Sequence, residues 1–261
     1  MRLYFNEIAV SCRAPNVVSR QMARIDGHTG LACAALIVLL AVLSLTSVDH
    51  DLALAIRGVE FSPRWAAFLQ RFTYLGNSEP ALSLSAAGTF IALLITRFAP
   101  VEWRDIAQRV MIACALVFVV VALTGVAAIL LKQFFGRPRP VMFLEQGVTG
   151  FHFFVLAKAP RLASFPSGHA TTAFALATLV WLSGWRWRGL AIVVLVAVAM
   201  SRVILLQHYL SDVLAGALVG TVGALAICRL ALDLQARRAG RGIDSSIEAE
   251  SWGGMGSQPS R

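Results

Sequence analysis

Three short polar clusters interrupt an apolar chain of 261 residues. The first is Lys132-Gln-Phe-Phe-Gly-Arg137-Pro-Arg139-Pro140 and the second is Phe165-Pro166-Ser167-Gly168-His169. The third is Ser201-Arg202, followed by His208 and then Asp212. Lys132, Arg137, Arg139 and Arg202 are cations that suit a dianionic group. Arginine grips phosphate oxygens bidentately, and lysine acts as a point charge. Ser167 and Gly168 stand where a helix should begin, so backbone N–H groups and the positive end of the helix dipole can face an anion. Gly168 also admits close approach of the backbone. His208 and Asp212 have the i, i+4 spacing of neighbours on one helix face. A carboxylate on one ring nitrogen fixes the tautomer and makes the other nitrogen more basic, as a nucleophilic or basic histidine requires. His169 is left as a second proton carrier. An anion site lined by cations, with two histidines and no carboxylate cluster for Mg²⁺ or Zn²⁺, points to phosphoryl transfer without a metal or other cofactor.

These residues can act together only if the elements carrying them converge. The chain is 57% hydrophobic and 14% charged, with a mean hydropathy of +0.71. Soluble domains run about 45–50% apolar and about 25% charged, so both departures point to a membrane protein. A membrane-crossing helix needs about 20 apolar residues. Six stretches qualify: 31–48, 80–96, 110–131, 170–185 (extended upstream through Phe165), 189–206 and 213–232. The expected fold is therefore an all-α, six-span transmembrane bundle. It has a cytoplasmic N-terminal tail (1–30), a core (31–235) and a polar, disordered C-terminal tail (236–261). In the first outer loop, Ser62-Pro63 precedes a stretch whose Trp65, Phe68, Leu69 and Phe72 fit a helix lying in the membrane interface.

Alternating spans place the end of the third, the start of the fourth and the turn between the fifth and sixth on one membrane face. The three clusters then meet there without further assumption. One geometric condition applies. On an unbroken helix Arg202 and His208 would point about 120° apart at 3.6 residues per turn, so the helix must break between them.

The net charge is +9, and of the 23 basic residues only Lys132 and Lys158 are lysines. No basic block sits in a polar fold, which excludes a nucleic-acid partner. With the N-terminus cytoplasmic, the inner segments hold the larger share of Lys and Arg, as orientation requires. The excess of cations in the outer segment 132–161 runs against that rule and asks for its own explanation. Cys12, Cys33, Cys114 and Cys228 do not form a disulfide or metal-ligand pattern. His28, His50 and His152 have no partner at meaningful spacing and read as surface or interface histidines. Gly216, Gly220 and Gly223 on the last span read as small-residue helix packing.

The three clusters resemble the motifs of the type 2 phosphatidic acid phosphatase (PAP2) family: K-x6-R-P, P-S-G-H and S-R-x5-H-x3-D. Lys132 with Arg139-Pro140, Pro166 to His169, and Ser201-Arg202 with His208 and Asp212 meet all three. The resemblance implies that His208 attacks phosphorus to form a phosphohistidine, with Asp212 orienting it. It further implies that His169 protonates the leaving oxygen and later helps to activate water. Lys132, Arg139, Ser167, Gly168 and Arg202 would hold the phosphoryl oxygens. Arg137 lies outside the family pattern and is an accessory candidate. Residues 75–78 are similar to a stretch in some bacterial members, but read as a simple turn.

The implied activity is a metal-independent membrane lipid phosphatase of the bacterial inner membrane, with its site facing the periplasm. Substrates of bacterial relatives include undecaprenyl diphosphate, phosphatidylglycerol phosphate, phosphatidic acid and the phosphates of lipid A. The substrate among these and the oligomeric state stay open. A phosphotransferase passing the group to another lipid is the nearest alternative. A transporter or channel would place charges deep in several spans, whereas here they gather at one face. The same motifs occur in soluble vanadium haloperoxidases, which the spans disfavour.

Overall fold

The computed structural model describes residues 48–154 and 160–253, with a few isolated positions upstream. The tail 1–30 and the first expected span, 31–48, fall almost wholly outside the described residues. In chain order the helices are α1 (Asp49–Arg57), α2 (Pro63–Thr73), α3 (Ser78–Phe98) and α4 (Val101–Phe135). They continue with α5 (Pro140–Gln146), α6 (Gly168–Ser183), α7 (Arg188–Ile204) and α8 (Leu210–Gly253). Short 3₁₀ turns lie at Tyr74–Gly76 and Pro160–Leu162. The described residues are all-α.

Local chemistry sets many of the boundaries. Ser62 caps α2 by accepting from the Trp65 N–H at 3.3 Å, with Pro63 at the first helical position, where its missing N–H is harmless. Asn77 caps α3 and Ser167 caps α6. Gly184 ends α6 with φ +68°, the left-handed geometry that stops a helix with little cost for glycine.

Among the described residues, three stretches are long and apolar enough to cross a membrane: Ser78–Phe98, Val101–Gln146 and Leu210–Arg237. They contain the expected second, third and sixth spans. The expected fourth and fifth spans form α6 and α7, of 16 and 17 residues. At 1.5 Å per residue these helices reach about 24–26 Å, short of a hydrocarbon core of about 30 Å. The large side chains are arranged for an apolar solvent. Leu84, Phe90, Phe98, Leu123, Ile129 and Leu130 face outward, whereas Ser85 and Thr124 are buried. Serine and threonine can turn inward because their hydroxyls bond to carbonyls one turn back, as Thr124 does to Val120 at 2.7 Å.

Helix α6 is the hub and packs against α4, α7 and α8. Its contact with α8 is glycine-mediated. A Cβ on Gly216 would stand 2.5 Å from the Ser167 carbonyl oxygen, and one on Gly220 would stand 2.2 Å from that of Thr171. Both obstacles are backbone, so neither can rotate away. Gly220→Ala should therefore push α6 and α8 apart, at about 1–3 kcal/mol for overpacking. The expected result is a lower melting temperature of the detergent-solubilised protein, whereas Gly189→Ala, in open space, should leave it unchanged.

Helix α2 forms where the amphipathic stretch predicts it, and packs against α7 with Leu69 and Thr73 buried and Trp65 and Phe68 exposed. The tail expected from residue 236 coincides with the last part of α8, whose helical backbone is drawn to Gly253. Beyond Gly240 and Gly242 the residues are mostly compatible with a helix, and no proline intervenes before Gly253.

Candidate active site

Each cluster lies at a helix end. Gly136 terminates α4 with φ +53°, its N–H returning to the Lys132 carbonyl at 3.0 Å. That turn redirects residues 137–140 across the end of the bundle. The segment is pinned there by Ser164 N–H to the Arg137 carbonyl and Arg139 N–H to the Arg161 carbonyl, both at 3.0 Å. Pro138 and Pro140 lack an N–H, so their burial strands no donor.

The required helix break is present. Helix α7 stops at Ile204 and α8 starts at Leu210. Between them Leu206 takes a left-handed φ of +52°. The N–H groups of Gln207 and His208 both return to the Arg202 carbonyl, at 3.0 and 3.3 Å. Ser167 ties the second cluster to the third, because its N–H donates to the Asp212 carbonyl at 2.9 Å.

The basic residues gather around this junction. Lys132 Nζ lies over Gly168, 3.6 Å from where a Cβ would be. Lys132 is within electrostatic range of Arg139, Arg202 and Asp212. His169, at the start of α6, is within range of Arg202, His208, Lys132 and Arg139. Arg139 is steadied by Gln207, whose side-chain oxygen accepts from Nη1 at 2.7 Å. The Nε atoms of both Arg139 and Arg202 are buried without a hydrogen-bond partner. A buried donor left unmade costs about 1–3 kcal/mol, more when charged. Two such guanidinium donors in one basic cluster call for an anion.

His208 is 2% exposed and Asp212 fully buried. The spacing predicts a bond between them, but their closest atoms, Nδ1 and Oδ2, are 3.7 Å apart. The backbone carbonyl of Ser164 takes that place, 2.8 Å from Nδ1. A carbonyl oxygen only accepts, so Nδ1 carries the proton and Nε2 keeps its lone pair. Asp212 is committed to other donors. Its Oδ2 accepts from Ser164 Oγ at 2.5 Å and from the Tyr209 N–H at 2.9 Å, and its Oδ1 from Arg137 Nη1 at 2.6 Å. Asp212 thus holds Ser164 and Tyr209 around the imidazole and acts on the ring through space. Burial pushes His208 down to about 4; Asp212 opposes this, while Lys132 and Arg202 push the same way. The imidazole is therefore neutral at pH 7, the form a nucleophile needs. Burial raises the Tyr209 phenol to about 12, so it stays neutral beside the Arg137 guanidinium, 4.1 Å from its ring centre.

Arg137 faces carboxylates. It is 5% exposed and pairs with Asp212 and, through Nη2, with Asp49 at 2.8 Å. It also donates to Ser211 Oγ at 2.7 Å. Arg137→Ala would leave two buried carboxylates uncompensated, a loss of about 3–5 kcal/mol. The expected result is a large fall in thermal stability; a raised KM in a protein of unchanged stability would instead make Arg137 a substrate ligand.

The sequence pattern does not reveal Ser164, Asp49 or Gln207, and it reads Gly76 only as part of a simple turn. Ser164 acts through its carbonyl, which any residue carries. Gly76 sits in the turn before α3, where a Cβ would stand 3.5 Å from His169 Cβ and 2.6 Å from Val198. The turn is thus a wall of the site beside His169. His50 is half-buried, and its ring packs 4.4 Å from that of Phe143 and 5.7 Å from that of Tyr209.

Comparison with known proteins agrees with this geometry. Residues 110–235 match the model of the PAP2 superfamily. Two curated relatives are each 38% identical over 106 residues, 41% of this chain: the lipid A 1-phosphatases of Rhizobium etli and Rhizobium johnstonii. The match spans less than half of each relative, 45% and 43% of their lengths. No solved structure matches. The matched segment, just under half of the chain, carries the three clusters that fold together here and is similar to the PAP2 superfamily.

Proposed function

We propose that the protein is a membrane lipid phosphatase that hydrolyses a phosphomonoester or diphosphate through a phosphohistidine, without a metal. The observation that carries this reading is the pair of buried, unpartnered guanidinium Nε–H groups on Arg139 and Arg202, beside a histidine whose free nitrogen is Nε2. Lys132, Arg139, Arg202 and the backbone at Ser167 and Gly168 hold the phosphoryl oxygens. The Nε2 lone pair of His208 forms a bond to phosphorus. The bond from phosphorus to the lipid oxygen breaks, and its electron pair stays on that oxygen, which takes a proton from His169. Water then attacks phosphorus, yielding its proton to His169 and releasing phosphate with His208 restored. Both buried carboxylates already serve Arg137, which supports a reaction driven by fixed cations.

The apolar helices and the outward hydrophobic side chains support a lipid substrate. The names of the relatives make the 1-phosphate of lipid A the first choice. In this reading six spans cross the bacterial inner membrane, α2 lies along its surface, and the site opens to the periplasm. The test is phosphate release by the purified protein in detergent micelles, from lipid A, phosphatidic acid, phosphatidylglycerol phosphate and undecaprenyl diphosphate. Release should survive EDTA and be inhibited by vanadate, a mimic of five-coordinate phosphorus. Activity lost on chelation and restored by Mg²⁺ would overturn the proposed site, and phosphate appearing on a second lipid would make it a transferase.

A further inference from the structure

Asp49 is a buried carboxylate to which the reaction above gives no part. It is 1% exposed at the start of α1, well before the segment that matches the family. Its Oδ1 accepts from the Ser211 N–H at 3.1 Å, at the start of α8. Its Oδ2 pairs with Arg137 Nη2 at 2.8 Å and also accepts from the Ser211 hydroxyl. Arg137 in turn holds Asp212 at 2.6 Å. Asp49 therefore reaches the surroundings of His208 through one arginine.

The charges of this group explain why a second carboxylate is there. With neutral His208, the buried set of Asp49, Arg137 and Asp212 carries one net negative charge. When Nε2 bonds to phosphorus, Nδ1 keeps its proton on the Ser164 carbonyl and the ring becomes positive. The buried set and the ring then sum to zero. Without Asp49, Arg137 alone would cancel Asp212, and the same step would place an uncompensated cation in a buried site, which is costly. We infer that Asp49 is a positioning residue for the nucleophile, matching the charge of Arg137 so that Asp212 stays available to compensate the phosphorylated His208. This inference rests on the phosphohistidine reading above.

The experiment measures phosphoenzyme formation in the full-length protein, in detergent, with radiolabelled phosphatidic acid. A wild-type protein that forms no acid-labile phosphoenzyme overturns the underlying reading and this inference with it. Given a wild-type phosphoenzyme, Asp49→Asn is the first variant, since asparagine keeps the shape and its one carbonyl oxygen can still accept from Arg137 and the Ser211 hydroxyl, losing only the bond from the Ser211 N–H. The expected result is at least a tenfold fall in kcat, the effect of about one pK unit of lost compensation, with KM within threefold. A fall below tenfold, or one carried by KM, overturns the inference. The second variant is Asp49→Asn with Arg137→Gln, which leaves Asp212 as the only charge of the set. It should form the phosphoenzyme faster than Asp49→Asn alone; a rate no faster overturns the inference, since a merely structural loss would add to the first. Should Asp49→Asn not fold, the double variant decides: a rate at least one-tenth of wild type supports the inference and a lower one overturns it.

Discussion

His208→Ala is expected to abolish the phosphoenzyme with every substrate and to lower turnover by on the order of 10⁴–10⁶-fold, the range seen when a nucleophile is removed. The reason is geometric. His208 is the ring whose Nδ1 proton is fixed by a carbonyl, 2.8 Å away at Ser164, so its Nε2 lone pair needs no other base to free it. Burial and the neighbouring cations keep that ring neutral at pH 7. Protein quenched in alkaline detergent, where phosphohistidine survives, and carrying radiolabelled phosphate is the measurement. A variant that still traps phosphate on the protein would move the nucleophile elsewhere.

The second large effect separates the two histidines. His169 starts α6 beside the Ser167–Gly168 backbone, and the turn at Gly76 walls it on one side. His169→Ala should lose about 10²–10⁴-fold toward a lipid phosphate, the range typical of general acid help, because an alkoxide leaves poorly without a proton. Toward p-nitrophenyl phosphate the loss should be much smaller, since that phenolate scarcely needs one. The comparison must use the rate of phosphoenzyme formation, because attack by water also depends on His169. Equal losses for the two substrates would reduce His169 to a phosphate ligand and send the search for the acid elsewhere.

The convergence of the clusters is legible in the sequence because residue type, spacing and span alternation act at short range. The break between Arg202 and His208 follows from helix geometry alone, and the chain does turn at Leu206. Span lengths are less legible. Hydropathy sees that 165–185 and 189–206 are apolar but not that the ends of α6 and α7 are drawn into turns at Ser167, Gly184 and Leu205. Partnerships at long range are not legible at all. Asp49 and Arg137 are 88 residues apart, and neither carries a local pattern that names the other. His208 illustrates a third limit. The spacing to Asp212 suggests a direct bond, yet a backbone carbonyl with no side-chain signature makes it.

The span of the Asp49–Arg137 pair also bears on how the protein is made. Synthesis runs from the N-terminus, so the carboxylate of α1 exists before the arginine that it will hold, and Asp212 comes last of the three. Arg137 then has a waiting counter-ion when it is withdrawn from water, long before α8 has left the ribosome. His208 and Asp212 arrive only once the other two clusters have been made. A fragment trimmed to residues 110–235 would carry every motif residue and lack this early partner, which makes the upstream helix part of any minimal unit worth expressing.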